Sequence, residues 1–148
     1  MRRFRSYPAH TNVLTFSRSP PIWQGPAVPQ IFFGRDAELA QIIQMITTNI
    51  GSRPARIAIL GPGGYGKTTL ARAALTVDII REHFGDARYF VPCESITSSG
   101  ALLNELGKTL GVVKGGSYTL WSRIQVALST KDSIVCFDNF ESPRDQRV

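Results

Sequence analysis

Beyond residue 30 the apolar positions alternate between two periods. Leu39, Ile42, Ile43, Ile46 and Ile50 recur at the spacing of one helical face, with Gly51 placed to stop the helix and Pro54 beyond it. Arg56–Leu60 is a short apolar run ahead of a glycine cluster, the pattern of a buried parallel strand. Helical spacing returns over residues 67–80 through Leu70, Ala73, Ala74, Val77 and Ile80, and Ala87–Val91 predicts a second strand. Ser98 or Ser99 is expected to cap a third helix carrying Leu102, Leu103, Leu106 and Leu110, ended by Gly111. Ser117 is expected to cap a fourth with Leu120, Ile124, Ala127 and Leu128 on one face, and Ser133–Phe137 predicts a third strand closing on Asp138. Strands separated by helices need crossover connections, so the pattern predicts an α/β domain with a parallel sheet covered on both faces.

Residues 1–30 carry neither period. Pro8, Pro20, Pro21, Pro26 and Pro29 punctuate them, and a short apolar stretch, Ile31–Phe33, follows. The division expected is a disordered, basic, proline-rich linker over 1–30 and one domain over 31–148. An acid-free segment with arginine and serine also has the composition of a mitochondrial transit peptide, but the prolines oppose the amphipathic helix such a peptide forms. A cytoplasmic protein is the expectation, with mitochondrial targeting the lesser alternative.

Composition narrows the class. The 148 residues are 43% hydrophobic and 19% charged, ordinary for a globular protein, and no apolar run is long enough to cross a bilayer. The formal charge of +6 sits mainly in the first 35 residues, which hold five arginines and no carboxylate. The remainder is nearly neutral, with no basic stripe interleaved with aromatics, which argues against a nucleic-acid binder. Cys93 and Cys136 are too few for a disulfide scaffold, and His10 and His83 are isolated, so neither a disulfide framework nor zinc is expected.

The densest chemistry lies in Gly61-Pro62-Gly63-Gly64-Tyr65-Gly66-Lys67-Thr68-Thr69, which matches the phosphate-binding pattern G-x-x-x-x-G-K-[ST] between a predicted strand and a predicted helix. Glycines let successive N–H groups crowd round a phosphate, Lys67 brings a point charge to its outer oxygens, and Thr68 offers a hydroxyl to Mg2+. About seventy residues on, Ile134-Val135-Cys136-Phe137 delivers Asp138 to the carboxyl end of a strand, where ligands bind in open α/β sheets. Asp138 is the candidate second ligand for that Mg2+, as the aspartate of a Walker B motif. A general base is less clear. Asn139 follows Asp138 directly, and the nearest carboxylate is Glu141, as readily a solvated loop residue as a water-positioning one, so hydrolysis is expected to be slow or absent.

With these pieces in order, the chain resembles the signal-transduction ATPases with numerous domains (STAND), the group that holds NB-ARC and NACHT proteins, and among them the fungal type. The resemblance rests on Phe32-Phe33-Gly34-Arg35-Asp36-Ala37-Glu38-Leu39, Gly61–Thr69 and Ile134–Glu141. It implies a three-layer P-loop NTPase fold, ATP or ADP with Mg2+ as cofactors, and a nucleotide contact for Gly34 and Arg35. It also implies a homo-oligomer or an association with full-length relatives. In that group the strand after Walker B lies between the P-loop strand and the Walker B strand. Ten residues follow Asp138, too few to supply it, so the sheet is expected to be incomplete at its C-terminal side. Either a gap stands there or the two flanking strands pair directly, as in P-loop kinases and GTPases. Two other functions remain open on these residues: a small P-loop phosphotransferase, and a non-catalytic remnant that docks on full-length relatives through an exposed sheet edge.

Overall fold

The computed structural model describes residues 34–112 and 119–140. The leader, the Ile31–Phe33 stretch, Ser117 and Glu141 lie outside these residues. The order is α1 (Asp36–Thr48), α2 (Lys67–Thr76), α3 (Asp78–Phe84), β1 (Arg88–Pro92), α4 (Ser99–Thr109), α5 (Leu120–Ser129) and β2 (Ile134–Asp138). Five of these elements, α1, β1, α4, α5 and β2, follow the apolar pattern closely. The helix predicted over 67–80, however, is two. Val77 adopts an extended conformation (φ −64°, ψ 147°), and Asp78 starts a new helix whose Ile80 is fully buried. The break at a β-branched residue turns α3 so that Ile80 reaches the same core as α2.

β1 and β2 pair in parallel, from Arg88 opposite Ile134 to Pro92 opposite Asp138. Ile134 N–H donating to the Ala87 carbonyl (2.9 Å) and Cys93 N–H donating to the Asp138 carbonyl (2.8 Å) close the two ends of the ladder. Alternation along the strands sends Tyr89, Val91 and Val135 to one side, into a core with Leu106 and Leu110 of the α4 region and Ile124 of α5. Ile134 points to the other side, into a core with Ile42 and Ile46 of α1, Leu70 and Ala74 of α2, and Ile80. Helices thus flank a small parallel sheet, an α/β arrangement. Among the described residues the sheet has two strands.

The strand predicted at Arg56–Leu60 is not formed. The segment carries no strand pairing, with Arg56, Ala58 and Leu60 exposed and Ile57 and Ile59 half-buried against the α1–α2–α3 core beside Ile134. It climbs from the Ile134 end of β2 to Gly61 near the Asp138 end, so it runs alongside β2 without reaching it. Between them stands a cleft of about 1760 Å³ lined by both segments. Of the two arrangements expected for the incomplete sheet, the structure has the gap; direct pairing of the P-loop and Walker B strands is not found. A parallel strand is held by a neighbour's backbone groups, and with no strand beside it among the described residues the 56–60 run stays irregular. No helix among the described residues is long and apolar enough to cross a membrane.

Candidate phosphate and metal site

The glycine loop joins the unpaired segment to α2. Gly64 and Gly66 hold left-handed backbone angles (φ 78° and 72°), which a side chain would oppose, and so the loop doubles back over the start of the helix. Gly66 is itself the N-cap residue of α2. No side chain caps that terminus, so its first N–H groups have no side-chain acceptor there. Uncapped amides and the positive end of the helix dipole face the loop's mouth, which suits an anion. Lys67 donates from Nζ to the carbonyls of Gly61 (2.8 Å) and Pro62 (2.9 Å), folding its charge into the loop. Tyr65 is exposed and Thr69 half-buried.

Across the cleft, Thr68 Oγ1 donates to Asp138 Oδ1 at 2.7 Å. The pairing of β2 with β1 places Asp138 at the carboxyl end of the sheet, facing α2. Hydroxyl and carboxylate oxygens are hard donors of the kind Mg2+ prefers, and Mg2+ takes few protein ligands because it keeps water and phosphate oxygens. Among the described residues no cluster of three or more His, Cys, Asp or Glu side chains competes as a metal site. The donor set fits Mg2+ bound partly through a phosphate, and it does not fit a caged zinc ion.

The fold thus brings Gly61, Gly63, Gly64, Gly66, Lys67, Thr68 and Asp138 to one cleft. Gly34 and Arg35 do not line it. Gly34 is left-handed (φ 77°), Arg35 precedes α1, and the Arg35 guanidinium lies 3.7 Å from Glu38 on the first turn.

Three features escaped the sequence reading. Arg72, one turn beyond Thr68 on α2, lays its guanidinium 5.2 Å over the Phe90 ring, and its Nε is buried without a hydrogen-bond partner. Its spacing of four from Thr68 was the available signal. Asn139 is left-handed (φ 56°), and its position after a strand-ending aspartate was the only hint. Cys136, on the α2 side of β2, has its thiol pushed up to about 11, first by burial and then by the Asp138 carboxylate. Burial and the same carboxylate also raise Cys93. Pairing of the strands brings the two cysteines within a few residues of each other, but Cys93 packs with Tyr89 and Val91 on the far side, and both thiols are free.

No solved structure matches the chain significantly. A curated relative, the disease resistance protein RGA2 of Solanum bulbocastanum, is 38% identical over 58 residues, which is 38% of this chain and 6% of that protein. The chain therefore spans a small part of the relative's length. The NB-ARC domain matches residues 35–142 of the 148, from the arginine before α1 to just past β2. With a P-loop, a facing aspartate and helices on both sides of a parallel sheet, the chain belongs to the NB-ARC family, the nucleotide-binding switch modules of signalling ATPases.

Proposed function

We propose that the chain binds ADP or ATP together with Mg2+ and acts as the switch module of a STAND-type signalling ATPase. The observation that carries this reading is the 2.7 Å contact between Thr68 and Asp138, which joins the end of the phosphate loop to the end of β2 across seventy residues. In this reading the Gly61–Gly66 backbone, with Pro62, Tyr65 and Thr69 framing it, surrounds the phosphates. Lys67 turns from the Gly61 and Pro62 carbonyls toward the outer phosphate oxygens, a short swing for a flexible ammonium. Thr68 and Asp138 hold Mg2+, which neutralises phosphate charge when bound. Gly34 and Arg35 contact the nucleoside, as the family resemblance implies.

Hydrolysis is slow or absent. Asn139 follows Asp138, and an amide does not accept a proton from water. Asp138 is engaged by Thr68, which leaves Glu141 as the neighbouring carboxylate to test. Association with a second copy or a longer relative is part of the same reading. A second mode of association rests on the edge of β2 that carries no strand among the described residues, where an extended strand from a longer relative would pair along the cleft.

The test is a thermal melt with and without saturating Mg-ADP, in wild type and Lys67→Ala. The wild-type transition is expected to rise by several degrees and the variant's to stay put, with both circular dichroism spectra alike. An equal rise in the variant removes Lys67 from the site. No rise in a folded wild type removes nucleotide binding.

A further inference from the structure

Resting on the nucleotide reading above, we infer that Asn139 is a positioning residue whose left-handed turn sets the Asp138 carboxylate for Mg2+. Among the described residues Asn139 is the one non-glycine with a positive φ, 56°. Residues with a Cβ avoid this region, and asparagine tolerates it better than most because its short polar side chain bonds locally. Such a conformation persists where its surroundings over-determine it, and functional sites are where it gathers.

The surroundings here are specific. On its strand side the Asp138–Asn139 peptide is tied by Cys93 N–H to the Asp138 carbonyl at 2.8 Å, the last rung between β1 and β2. On the side-chain side Thr68 Oγ1 holds Asp138 Oδ1. Asn139 forms a turn, and beyond it the Phe140 ring centroid lies 5.9 Å from that of Phe137, one residue before the aspartate. Asp138 is thus clamped between a terminal rung and a turn, and the turn depends on φ of Asn139. An extended residue at 139 would carry the chain on along the strand direction and remove the Phe140–Phe137 contact. Strain at 139 would then be relieved by displacing the Asp138 Cα from its place beside the Cys93 rung, and the carboxylate carried on that Cα would be displaced with it. The cradle formed by the glycine loop lies on α2 and the preceding segment, so it is untouched by that displacement. The magnesium-dependent part of nucleotide affinity depends on this turn, and the metal-free part does not.

Titration calorimetry of ADP in EDTA and in MgCl2 measures both parts, with the magnesium increment given by the ratio of the dissociation constant in EDTA to that in MgCl2. Asn139→Val, β-branched and averse to the left-handed region, is expected to lower that ratio roughly tenfold with the EDTA value unchanged. Asn139→Gly, which adopts the turn freely, is expected to keep the ratio within about twofold. A merely structural role would lower melting temperature in the valine variant and leave the ratio alone. If Asn139→Val does not fold, Asn139→Ala is read by the same ratio, with a smaller loss expected. A wild type that binds no ADP overturns the nucleotide reading itself. A wild type that binds ADP with no magnesium increment, or variants that all keep the wild-type ratio, overturn the role of Asn139 alone.

Discussion

The two sides of the β1–β2 sheet are built differently. On the α4–α5 side the core is closed: Ala87, Val91 and Ile124 are completely buried, and both helices begin on a side-chain cap, Ser98 for α4 and Thr119 for α5. On the α1–α2–α3 side none of the three helices has a side-chain cap bond, and the core opens through half-buried Ile57 and Ile59 into the cleft, where Leu60 is 87% exposed. One side satisfies its own backbone ends and apolar faces. The other leaves the first amides of α2 without a side-chain cap, beside Lys67 and the Thr68–Asp138 pair, and the candidate residues that line the cleft lie there. A helix N-terminus that is well capped offers its amides to no anion, so the missing cap on α2 is what the proposed phosphate site requires.

Core truncations should break the symmetry between the sides most strongly. Ile124→Ala is expected to cost about 2–5 kcal/mol in urea unfolding, because the closed core cannot collapse around the cavity. Ile59→Ala should cost below about 1.5 kcal/mol, since much of that side chain already meets water. Comparable losses would mean that the open side is packed as tightly as the closed one. Mg-ADP at a hundred times its dissociation constant should add about 2.7 kcal/mol to the folded state. Native-state hydrogen exchange should show that gain chiefly in α2 and β2. A uniform gain through α4 and α5 would show the two sides opening only as one unit.

Smaller effects sharpen the same contrast. Ser98→Ala removes the bond that Ala101 N–H donates and should cost about 1 kcal/mol, read as a lower urea midpoint. The smallest expected change is alkaline. Cys136 titrates higher in the fold than its ordinary value of 9.0, so its contribution is fully present below pH 9. It is lost as pH rises from there toward about 11, and Cys136→Ala should flatten part of the fall in unfolding free energy over that window. Tyr89 and Cys93, both raised by burial, keep the remainder of the slope.

Local pattern told most about helices and least about pairing. Ser98 caps α4 as its position suggested, and Gly111 (φ 68°) ends it with Gly111 and Val112 N–H groups donating back to Lys108 and Gly107. The N-cap of α5 is Thr119, two residues after Ser117, because a cap is chosen by which hydroxyl reaches the next turn's amide, here Ser122 N–H at 3.2 Å. Helical spacing ran unbroken through Val77, and only the burial of Ile80 decided the turn there. Arg56–Leu60 has the composition of a parallel strand, yet strand formation is a property of neighbours that a run of residues does not contain. In the site, the glycine spacing and the strand-final aspartate were legible one at a time. The Arg72 stack on Phe90 and the left-handed Asn139 were not, since both depend on what the tertiary fold puts beside them.

By itself the sequence determined the helices that carry their own periodicity and caps, the loop that glycine alone can form, and the residue types able to meet a phosphate and a magnesium ion. These follow from backbone sterics and spacing within a few residues. Only the tertiary structure decided which strands pair, that a cleft separates residues 56–60 from β2, and that Thr68 meets Asp138 across seventy residues of chain. Those outcomes turn on hydrogen bonds and buried faces shared between distant segments, and such terms exist only once the segments have met.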